Sequence, residues 1–320
     1  MFLGIEIGGT KLQLGVGHGD GPPFAGFRRL DVDARRGADG ILAQIAEAGR
    51  QLIAEFPIEA IGFGFGGPID AVAGVVTTSH QVEGWDNFPL SQWCTQTFGI
   101  PTYLGNDCDM AALAEARFGA GQKKQIVFYV TVGTGVGGGL VIDGSLYGSG
   151  RPAVAEIGHL RTGLDAMAPS QTVESIASGR GIEASIVTSL SEVSPDDPHA
   201  APLLACCHGD PRTLTAKAVA DQAAAGNPLA QAAIDRACRA LGWGIAQVVT
   251  LLAVEAVIVG GGISLAGEKT FFEPLRHYVR SYVFSPLRDS YEVLAPELGE
   301  QVVVHGALAM AAERFAHPVF

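Results

Sequence analysis

Three glycine turns in the sequence carry residue types that could bind an anion. Each follows an apolar run, and the three are Gly8-Gly9-Thr10-Lys11, Gly133 to Gly139, and Gly260-Gly261-Gly262. Glycine has no Cβ, so backbone N–H groups can converge on one anion, and a threonine hydroxyl adds a further donor. An ordinary hairpin explains any single one of these turns. Three of them in one chain, two with a threonine, favour a phosphate-binding role.

The spacing of these glycines excludes two common nucleotide-binding motifs. A Walker A motif needs Gly-Lys-Ser/Thr at the start of a helix, and none of the three turns contains it. A Rossmann fingerprint also opens a helix, whereas the turn that begins at Gly133 leads into an apolar run with a strand pattern. Neither motif therefore explains the three glycine turns.

Asp107 stands between a short apolar strand and a helical pattern. Aspartate is favoured as a helix N-cap, and this role explains its position without any chemistry. The same position places a carboxylate at the carboxyl end of a strand, where α/β sheets bind ligands. There it could accept the proton of a substrate hydroxyl that attacks phosphorus. Helix cap and general base are both open from the residues alone.

Glu156 and His159 lie three residues apart and would share one face of a helical turn. Two ligands do not complete a metal site. A carboxylate and an imidazole can equally bind adjacent hydroxyls of a polyol, because the carboxylate accepts hydrogen bonds and the imidazole can donate or accept them. Glu174 begins the next helical pattern, where it could join this pair or interact with the helix dipole.

Composition restricts the class of protein. Of 320 residues 43 are Gly, roughly twice ordinary usage, but the glycines show no three-residue period and 48% of residues are hydrophobic. Collagen and disorder are therefore excluded, and the glycines must serve turns and close backbone contacts in a folded chain. The net charge of −12 argues against a nucleic-acid partner, which would require a basic surface.

The chain shows no pattern of export or membrane insertion. Met1 leads directly into a strand pattern without a basic signal region, and no run of about 18 apolar residues is present. The five cysteines are scattered and odd in number, which is typical of reduced thiols. These features predict a cytoplasmic protein without a membrane partner.

Apolar periodicity predicts alternating strands and helices. Strands are expected over 2–7, 12–16, 24–32, 58–65, 101–104, 126–132, 140–142 and 256–259. Helices are expected over 38–56, 108–118, 173–190, 215–225, 228–252 and 306–315. Because the glycine-turn hairpin recurs, the pattern predicts an α/β fold with two similar halves.

The length suggests two domains, since a single core rarely grows beyond about 250–300 residues. We expect an N-terminal α/β domain over residues 1–120 and a C-terminal α/β domain over 121–305. A terminal helix over 306–316 is expected to pack back on the first domain.

Five spaced motifs occur in the order found in one protein family. They are Ile5 to Lys11, Gly67-Pro68-Ile69-Asp70, Gly105-Asn106-Asp107, Gly133 to Gly139, and Glu156-Ile157-Gly158-His159. Together they resemble the sugar kinases of the ROK family (repressor, open reading frame, kinase), within the actin/hexokinase superfamily. The resemblance covers essentially the whole chain. It implies two RNase-H-like, actin-like ATPase domains with a cleft between them, which bind ATP, Mg²⁺ and a hexose.

The resemblance also implies a role for each matching residue. Asp107 corresponds to the catalytic base. The sugar would be surrounded by Gly67, Asn106, Asp107, Glu156, His159 and Glu174. ATP would be bound by Gly9, Thr10, Lys11, Gly133, Thr134, Gly135, Gly260, Gly261 and Gly262.

The chain departs from the family pattern at two places. The family usually has Asp where this chain has Glu6, near Mg²⁺; the longer side chain suggests a metal contact through water. Many members also hold a structural zinc with the His of the Glu-x-Gly-His motif and a following cysteine cluster. The segment from Leu160 to Val173 contains no cysteine. We therefore expect no structural zinc, with His159 kept for the sugar.

The resemblance implies ATP-dependent phosphorylation of a hexose, with O6 of glucose as the expected acceptor. Fructose and N-acetylhexosamines are alternatives, because kinases for these sugars share the motifs. A non-catalytic sugar-binding or regulatory protein is a further alternative. The chain reaches its first glycine turn by residue 8, without a preceding helix-turn-helix, which disfavours a DNA-binding regulator. The family resemblance also suggests a homodimer.

Overall fold

A computed structural model of the chain describes residues 1–79, 82–148, 151, 153–194 and 196–317. Strands and helices alternate along it, as the apolar pattern predicts. The strands are β1 Phe2–Ile7, β2 Lys11–Gly17, β3 Gly26–Asp31, β4 Ala60–Phe65, β5 Ile69–Asp70, β6 Val75–Val76, β7 Thr102–Asn106, β8 Ile126–Val132, β9 Val136–Ile142, β10 Ser145–Leu146, β11 Ala256–Gly260 and β12 Glu292–Leu294.

The α-helices are α1 Gly37–Glu55, α2 Leu90–Phe98, α3 Asp107–Phe118, α4 Val173–Ala177, α5 Gly179–Ser191, α6 Ala200–Cys206, α7 Ala216–Ala224, α8 Pro228–Leu252, α9 Glu273–Tyr282 and α10 Val302–Ala316. Short 3₁₀-helices cover Ala34–Arg36, Ile157–His159, Pro211–Thr213, Ser264–Ala266, Ser285–Leu287 and Gly299–Gln301. A π-helix covers Glu268–Phe272. In the part of the chain that the structure describes, no helix has the length and apolarity needed to cross a membrane.

Two five-stranded sheets share one strand order. The first is β3-β2-β1-β4-β7 and the second is β10-β9-β8-β11-β12. In the first sheet β1 pairs antiparallel with β2 and parallel with β4. In the second sheet β8 pairs parallel with β11, and β11 pairs parallel with β12. The repeat of two similar halves that the sequence predicts is confirmed, and the fold is of the α/β class.

The chain divides into two compact units. The first comprises Met1–Gln125, Gly139–Val154 and Pro296–Phe320. The second comprises Ile126–Gly138 and Ala155–Ala295. The first unit is therefore assembled from segments that lie far apart in the sequence.

Helix α10 packs directly on the backbone of the first sheet and of α3. A Cβ at Gly62 in β4 would lie 2.1 Å from the carbonyl oxygen of Ala307. A Cβ at Gly306 would lie 1.9 Å from the carbonyl oxygen of Met110. Real Cβ contacts are never this short, so glycine is required at both positions for the helix to approach.

A buried carboxylate ties two connections of the first unit together. Glu115 of α3 is fully buried. Its side chain accepts hydrogen bonds from the backbone N–H of Ala120 at 2.9 Å, Glu297 at 3.0 Å and Leu298 at 2.9 Å. The segment that follows α3 and the segment that leads into α10 are thus bound to one side chain.

Three predicted elements differ from the observed ones by more than two residues at an end or in number. The glycine turn expected to extend to Gly139 ends at Gly135, because Val136–Ile142 forms β9. The helix expected over 173–190 is two helices, because Ser178 adopts an extended conformation and caps α5 through its hydroxyl. The terminal helix begins four residues before the expected 306, at Val302.

Candidate functional site

Three parallel strands of the first unit end at the same level. Register pairs Ile7 of β1 with Phe65 of β4, and Phe65 with Asn106 of β7. The residues that follow these positions therefore lie along one carboxyl edge of the sheet, where α/β proteins bind ligands. The first glycine turn, the Gly66-Gly67 pair and Asp107 all lie at this edge.

Hydrogen bonds connect the three strand ends. The Gly66 N–H donates to the Ile7 carbonyl at 3.2 Å, and the Asn106 side-chain amide donates to the Gly67 carbonyl at 3.2 Å. A Cβ at Gly66 would lie 3.2 Å from Oδ2 of Asp107. Gly67, Asn106 and Asp107, which the resemblance groups around a sugar, are thus close neighbours.

Asn106, and not Asp107, is the N-cap of α3. The Asn106 Oδ1 accepts the Cys108 N–H at 2.8 Å from an extended backbone conformation. Asp107 is the first helical residue, and its Oδ1 also accepts the Cys108 N–H, at 2.9 Å. The interpretation of Asp107 as the N-cap is therefore wrong, because the cap is the preceding residue, Asn106. Asp107 shares the Cys108 N–H with this cap and lies in the first turn of the helix, so its carboxylate has a structural contact as well as a place at this edge.

Glu6 is a buried carboxyl on β1, with only 7% of the residue exposed. Its Oε1 lies 3.3 Å from Nζ of Lys11. Burial raises the pKa of the Glu6 carboxyl to about 7, against the opposing effect of Lys11 and with a smaller contribution from the charge of Asp107. Within the described part of the chain, Oε2 of Glu6 has no hydrogen-bond partner although it is buried.

This orphaned oxygen fits a magnesium ligand. Mg²⁺ is usually bound by one or two carboxylates, with water and substrate phosphates completing its shell. Glu6 can supply one such oxygen. Among the described residues no group of three or more His, Cys, Asp and Glu side chains is arranged to hold a metal ion. The residues therefore fit a cation that the substrate helps to bind, and not a site built from protein ligands alone.

The first glycine turn closes the hairpin of β1 and β2. The Gly8 N–H donates to the Lys11 carbonyl at 3.0 Å, while Thr10 is exposed. The ammonium of Lys11 donates to the Glu300 carbonyl at 3.0 Å as well as facing Glu6. Lys11 is thus held at the sheet edge and does not extend into solvent.

A pocket lies beside the first glycine turn. Its lining includes Gly8, Gly9, Gly66, Ser79 and Trp85. The indole of Trp85 is almost completely buried, and its Nε1 has no hydrogen-bond partner among the described residues. The pocket belongs to the same edge as Asp107 and Glu6, since Gly66 borders both.

In the second unit, the second and third glycine turns are neighbours. β8 ends at Val132, immediately before Gly133. The Val132 carbonyl accepts the Ile263 N–H at 3.1 Å. Gly261 has a φ of 90°, and a Cβ there would lie 2.4 Å from that same carbonyl oxygen. Glycine at position 261 therefore allows the third turn to pack against the end of β8, next to the second turn. The two turns form the carboxyl edge of β8 and β11.

The second turn itself is short. It comprises Gly133, Thr134 and Gly135, and the Gly133 N–H donates to the Gly135 carbonyl at 2.9 Å. Gly138, which was expected in the turn, belongs to β9; a Cβ there would lie 2.3 Å from the carbonyl oxygen of Ala155. This glycine permits close packing and not a turn conformation.

Glu156 and His159 are both exposed at the ends of a 3₁₀ turn, with Ile157–His159 as its helical residues. The His159 N–H donates to the Glu156 carbonyl at 3.0 Å. In a 3₁₀-helix, side chains three residues apart eclipse one another, so the two polar groups lie on one side of the turn. Glu174 is half-buried, and its Oε2 accepts the Val136 N–H at 2.8 Å.

The segment between Leu160 and Val173 closes on itself through hydrogen bonds. The Val173 N–H donates to the Leu160 carbonyl at 2.9 Å, and Arg161 and Thr172 form an antiparallel bridge. The Arg161 guanidinium donates to the Ala168 carbonyl, and the Ala168 N–H donates to Oε1 of Gln171 at 2.8 Å. These bonds hold the segment that the family resemblance associates with zinc.

Comparison with known proteins decides the family. The family model described as "ROK family" matches residues 2–314. The chain belongs to the ROK family. This ROK protein is 31% identical over 318 residues to a glucokinase of Thermotoga maritima, covering 98% of each chain. It is also 27% identical over 257 residues to a xylose repressor of Caldicellulosiruptor bescii, covering 79% of this chain and 62% of the repressor.

The fold of this ROK protein also matches a solved structure closely. A ROK family glucokinase from Streptomyces griseus, in complex with glucose and AMPPNP, aligns with a TM-score of 0.81 at 30% identity. The alignment covers 98% of this chain and 99% of that chain. The fold class that the sequence predicts is therefore confirmed.

Sequence reasoning missed several residues that shape the site. Gly158 of this ROK protein packs on Val136, the residue after the second glycine turn, Gly179 donates to Gly133 of that turn, and Glu300 holds Lys11 through its carbonyl. The contacts of Gly179 and Glu300 have no local sequence signal, because each joins segments far apart in the chain. The glycine of the Glu-x-Gly-His motif was the one available hint, since a glycine inside a motif often marks close backbone approach.

Proposed function

We propose that this protein transfers the γ-phosphoryl group of ATP to a hexose hydroxyl, with O6 of glucose as the acceptor. The observation that carries the proposal is the edge of the first sheet, where the Asp107 carboxylate lies beside Gly66 and the buried Glu6 carboxyl. A general base, a metal-binding oxygen and a glycine turn together are what phosphoryl transfer requires. The similarity to two glucokinases supports glucose as the sugar.

Asp107 acts as the general base in this proposal. Its carboxylate accepts the proton of the attacking sugar hydroxyl, while Asn106 caps α3 and so fixes the helix that carries Asp107. Gly67 and Asn106, which are joined by a hydrogen bond, orient the sugar beside it. Exposed Glu156 and His159 bind further sugar hydroxyls, as does Glu174.

The glycine turns bind the nucleotide. Gly9, Thr10 and Lys11 bind phosphate oxygens in the first unit, and Gly133, Thr134 and Gly135 do so in the second. Gly260, Gly261 and Gly262 border the adenosine. Glu6 contributes an oxygen to Mg²⁺, directly or through water; the ion offsets the charge of the transferring group.

An assay of ADP release across a panel of sugars tests the proposal. Glucose, fructose, N-acetylglucosamine and N-acetylmannosamine are compared by kcat/KM with ATP and Mg²⁺. The highest kcat/KM is expected for glucose. A higher value for fructose or an N-acetylhexosamine would keep the kinase and replace the sugar. Binding of a sugar without turnover of any would favour a non-catalytic sugar-binding protein.

We further propose a homodimer in the cytoplasm. All five cysteines are free, which a reducing compartment favours. Light scattering on the purified protein tests the oligomeric state. A mass equal to that of one 33.2 kDa chain at micromolar concentration would overturn the dimer.

A further inference from the structure

Three residues of the second unit contact the second glycine turn or Val136, the residue that follows it. The Glu174 Oε2 accepts the Val136 N–H at 2.8 Å on one side of the turn. The Gly179 N–H donates to the Gly133 carbonyl at 2.8 Å on the other side. Gly158 packs against the Val136 carbonyl, since a Cβ there would lie 2.1 Å from that oxygen.

The sequence of the turn is adapted to the Glu174 carboxylate. A Cβ at Gly135 would lie 2.6 Å from Oε2 of Glu174. Any side chain at position 135 would therefore displace the carboxylate from the Val136 N–H. Glycine at this position serves the contact with Glu174 as well as the shape of the turn.

The helical corner that follows Glu174 supports the same contact. Glu174 lies in the first turn of α4, and α4 ends at Ala177, where Ser178 takes an extended conformation. This break between α4 and α5 frees the Gly179 N–H from a helical bond and directs it to Gly133. Glu174 and Gly179, at the two ends of this corner, thus form hydrogen bonds with Val136 and Gly133, which lie on the two sides of the turn.

A turn with two glycines needs such support to bind phosphate. Glycine has more backbone conformational freedom than any other residue. An unsupported Gly-Thr-Gly turn would therefore lose conformational entropy when the ligand binds, and its affinity for the ligand would be lower. A hydrogen bond from an N–H to an ionised carboxylate is roughly twice as strong as a neutral one. The bond between Glu174 and Val136 is therefore suited to fixing the turn beforehand.

We infer that Glu174 is a positioning residue that holds the second glycine turn in its nucleotide-binding shape. This inference rests on the proposed function and deepens it. A residue that only binds sugar would affect nucleotide binding solely when sugar is present. A residue that positions the turn affects nucleotide binding in the absence of sugar. That difference separates the two roles.

Binding of AMPPNP without sugar, measured by calorimetry, tests the inference. Glu174→Ala is expected to raise the Kd for AMPPNP roughly tenfold or more, the effect of losing a hydrogen bond to a charged group. Glu183→Ala is the matched control, because Oε1 of Glu183 accepts a backbone N–H in the same unit, from Ala216 at 2.9 Å. The control is expected to leave the Kd within twofold of the unmodified protein.

A second variant and a second readout guard against a folding defect. In Glu174→Gln the amide oxygen can accept the same N–H without the charge, so the Kd is expected to rise about fivefold. Hydrogen exchange should quicken at Val136 in the Glu174 variants and at Ala216 in the control. Unchanged AMPPNP affinity and unchanged exchange at Val136 in Glu174→Gln would overturn the inference.

The outcomes also separate this inference from the proposed function. If the unmodified protein fails to bind AMPPNP, the proposed kinase activity fails first. If it binds AMPPNP and Glu174→Ala raises only the KM for the sugar, the kinase stands and the positioning role of Glu174 is wrong.

Discussion

Glu6 and Lys11 face each other across the first hairpin, with Oε1 of the carboxylate 3.3 Å from Nζ of the ammonium. The pair does not neutralise the cost of burying the carboxyl, because the pKa of Glu6 is still raised to about 7. The Lys11 ammonium also donates a hydrogen bond to the Glu300 carbonyl, so it interacts with that oxygen as well as with the Glu6 carboxylate. Glu6 is therefore a carboxyl whose ionisation changes near neutral pH.

The raised pKa of Glu6 predicts a specific pH dependence of stability. Between about pH 4.5 and pH 7 the folded protein holds a proton on Glu6 that the unfolded chain releases. The free energy of unfolding should therefore fall as pH rises through this window, by roughly 3 kcal/mol relative to Glu6→Gln. Urea denaturation of both proteins from about pH 4.5 to about pH 8 measures the difference. Parallel curves for the two proteins would contradict the raised pKa.

Replacing Asp107 tests the proposed base. Asp107→Asn keeps the size of the side chain but removes the proton acceptor, so kcat should fall roughly 10²–10⁴-fold while sugar binding persists. Asp109→Asn is the control, because Asp109 lies in the same first turn of α3 and its loss affects the helix dipole similarly. Near-normal turnover by Asp107→Asn would leave its carboxylate without a catalytic role.

Removing the Glu115 carboxylate should destabilise the first unit strongly. Glu115→Ala leaves three backbone N–H groups without their acceptor, and the expected loss is roughly 3–5 kcal/mol in the free energy of unfolding. Glu47→Ala is the comparison, since Glu47 is exposed on α1 and bonded by Gln51 alone among the described residues. Its effect should stay within about 0.5 kcal/mol. If chemical denaturation gave the same loss in the free energy of unfolding for both substitutions, the hydrogen bonds of Glu115 would not stabilise the first unit.

Two helical glycines should differ strongly in how much alanine destabilises the protein. Gly306→Ala forces a Cβ onto the Met110 carbonyl and should cost roughly 1–3 kcal/mol or more, because the backbone of two helices must separate. Gly244→Ala in α8 places its Cβ 3.3 Å from a methyl group of Val173, a tight contact that a small shift of that side chain relieves, and the gain in helix propensity offsets part of the cost. Thermal unfolding of the two variants compares them. A Gly306→Ala protein as stable as Gly244→Ala would contradict the packing of α10.

The purified protein should contain no stoichiometric zinc. The segment from Leu160 to Val173 has no cysteine to act as a zinc ligand, and hydrogen bonds of Arg161 and Gln171 connect its parts. Elemental analysis should find less than about one zinc per ten chains, and a chelator should leave the melting temperature unchanged. One zinc per chain would show that His159 and other ligands still bind the metal.

Local patterns predicted much of the fold. The β1–β2 hairpin follows from apolar runs on each side of Gly8-Gly9, and α8 begins at Pro228 and ends at Leu252 as its periodicity indicates. Helix α2 was missed although Pro89 precedes it and Gly99 ends it in a left-handed conformation. These flanking residues are standard helix signals. Helix α2 has only nine residues, so its apolar periodicity is short and the flanking Pro89 and Gly99 are the main indication of it.

The candidate site was predicted in its residue types but not in its contacts. The resemblance singled out Asp107 and Glu174, and the structure gives each a setting that the sequence does not contain. Glu174 meets Val136, 38 positions away, and Lys11 meets Glu300, 289 positions away. Such contacts depend on how the sheets and helices pack. Residue spacing therefore identifies a candidate base, whereas hydrogen-bond partners require the folded chain.

The close packing of α10 also has a consequence for synthesis on the ribosome. Gly4 in β1 lies against the Val304 carbonyl, so one face of the first sheet is completed by residues that are translated after the entire second unit. Until then, the apolar face of β1 and β4 has no cover from α10. Contacts of such long sequence separation form slowly and leave apolar surface exposed to aggregation in the meantime. A nascent chain stalled before residue 302 should bind chaperones far more than one that has released α10.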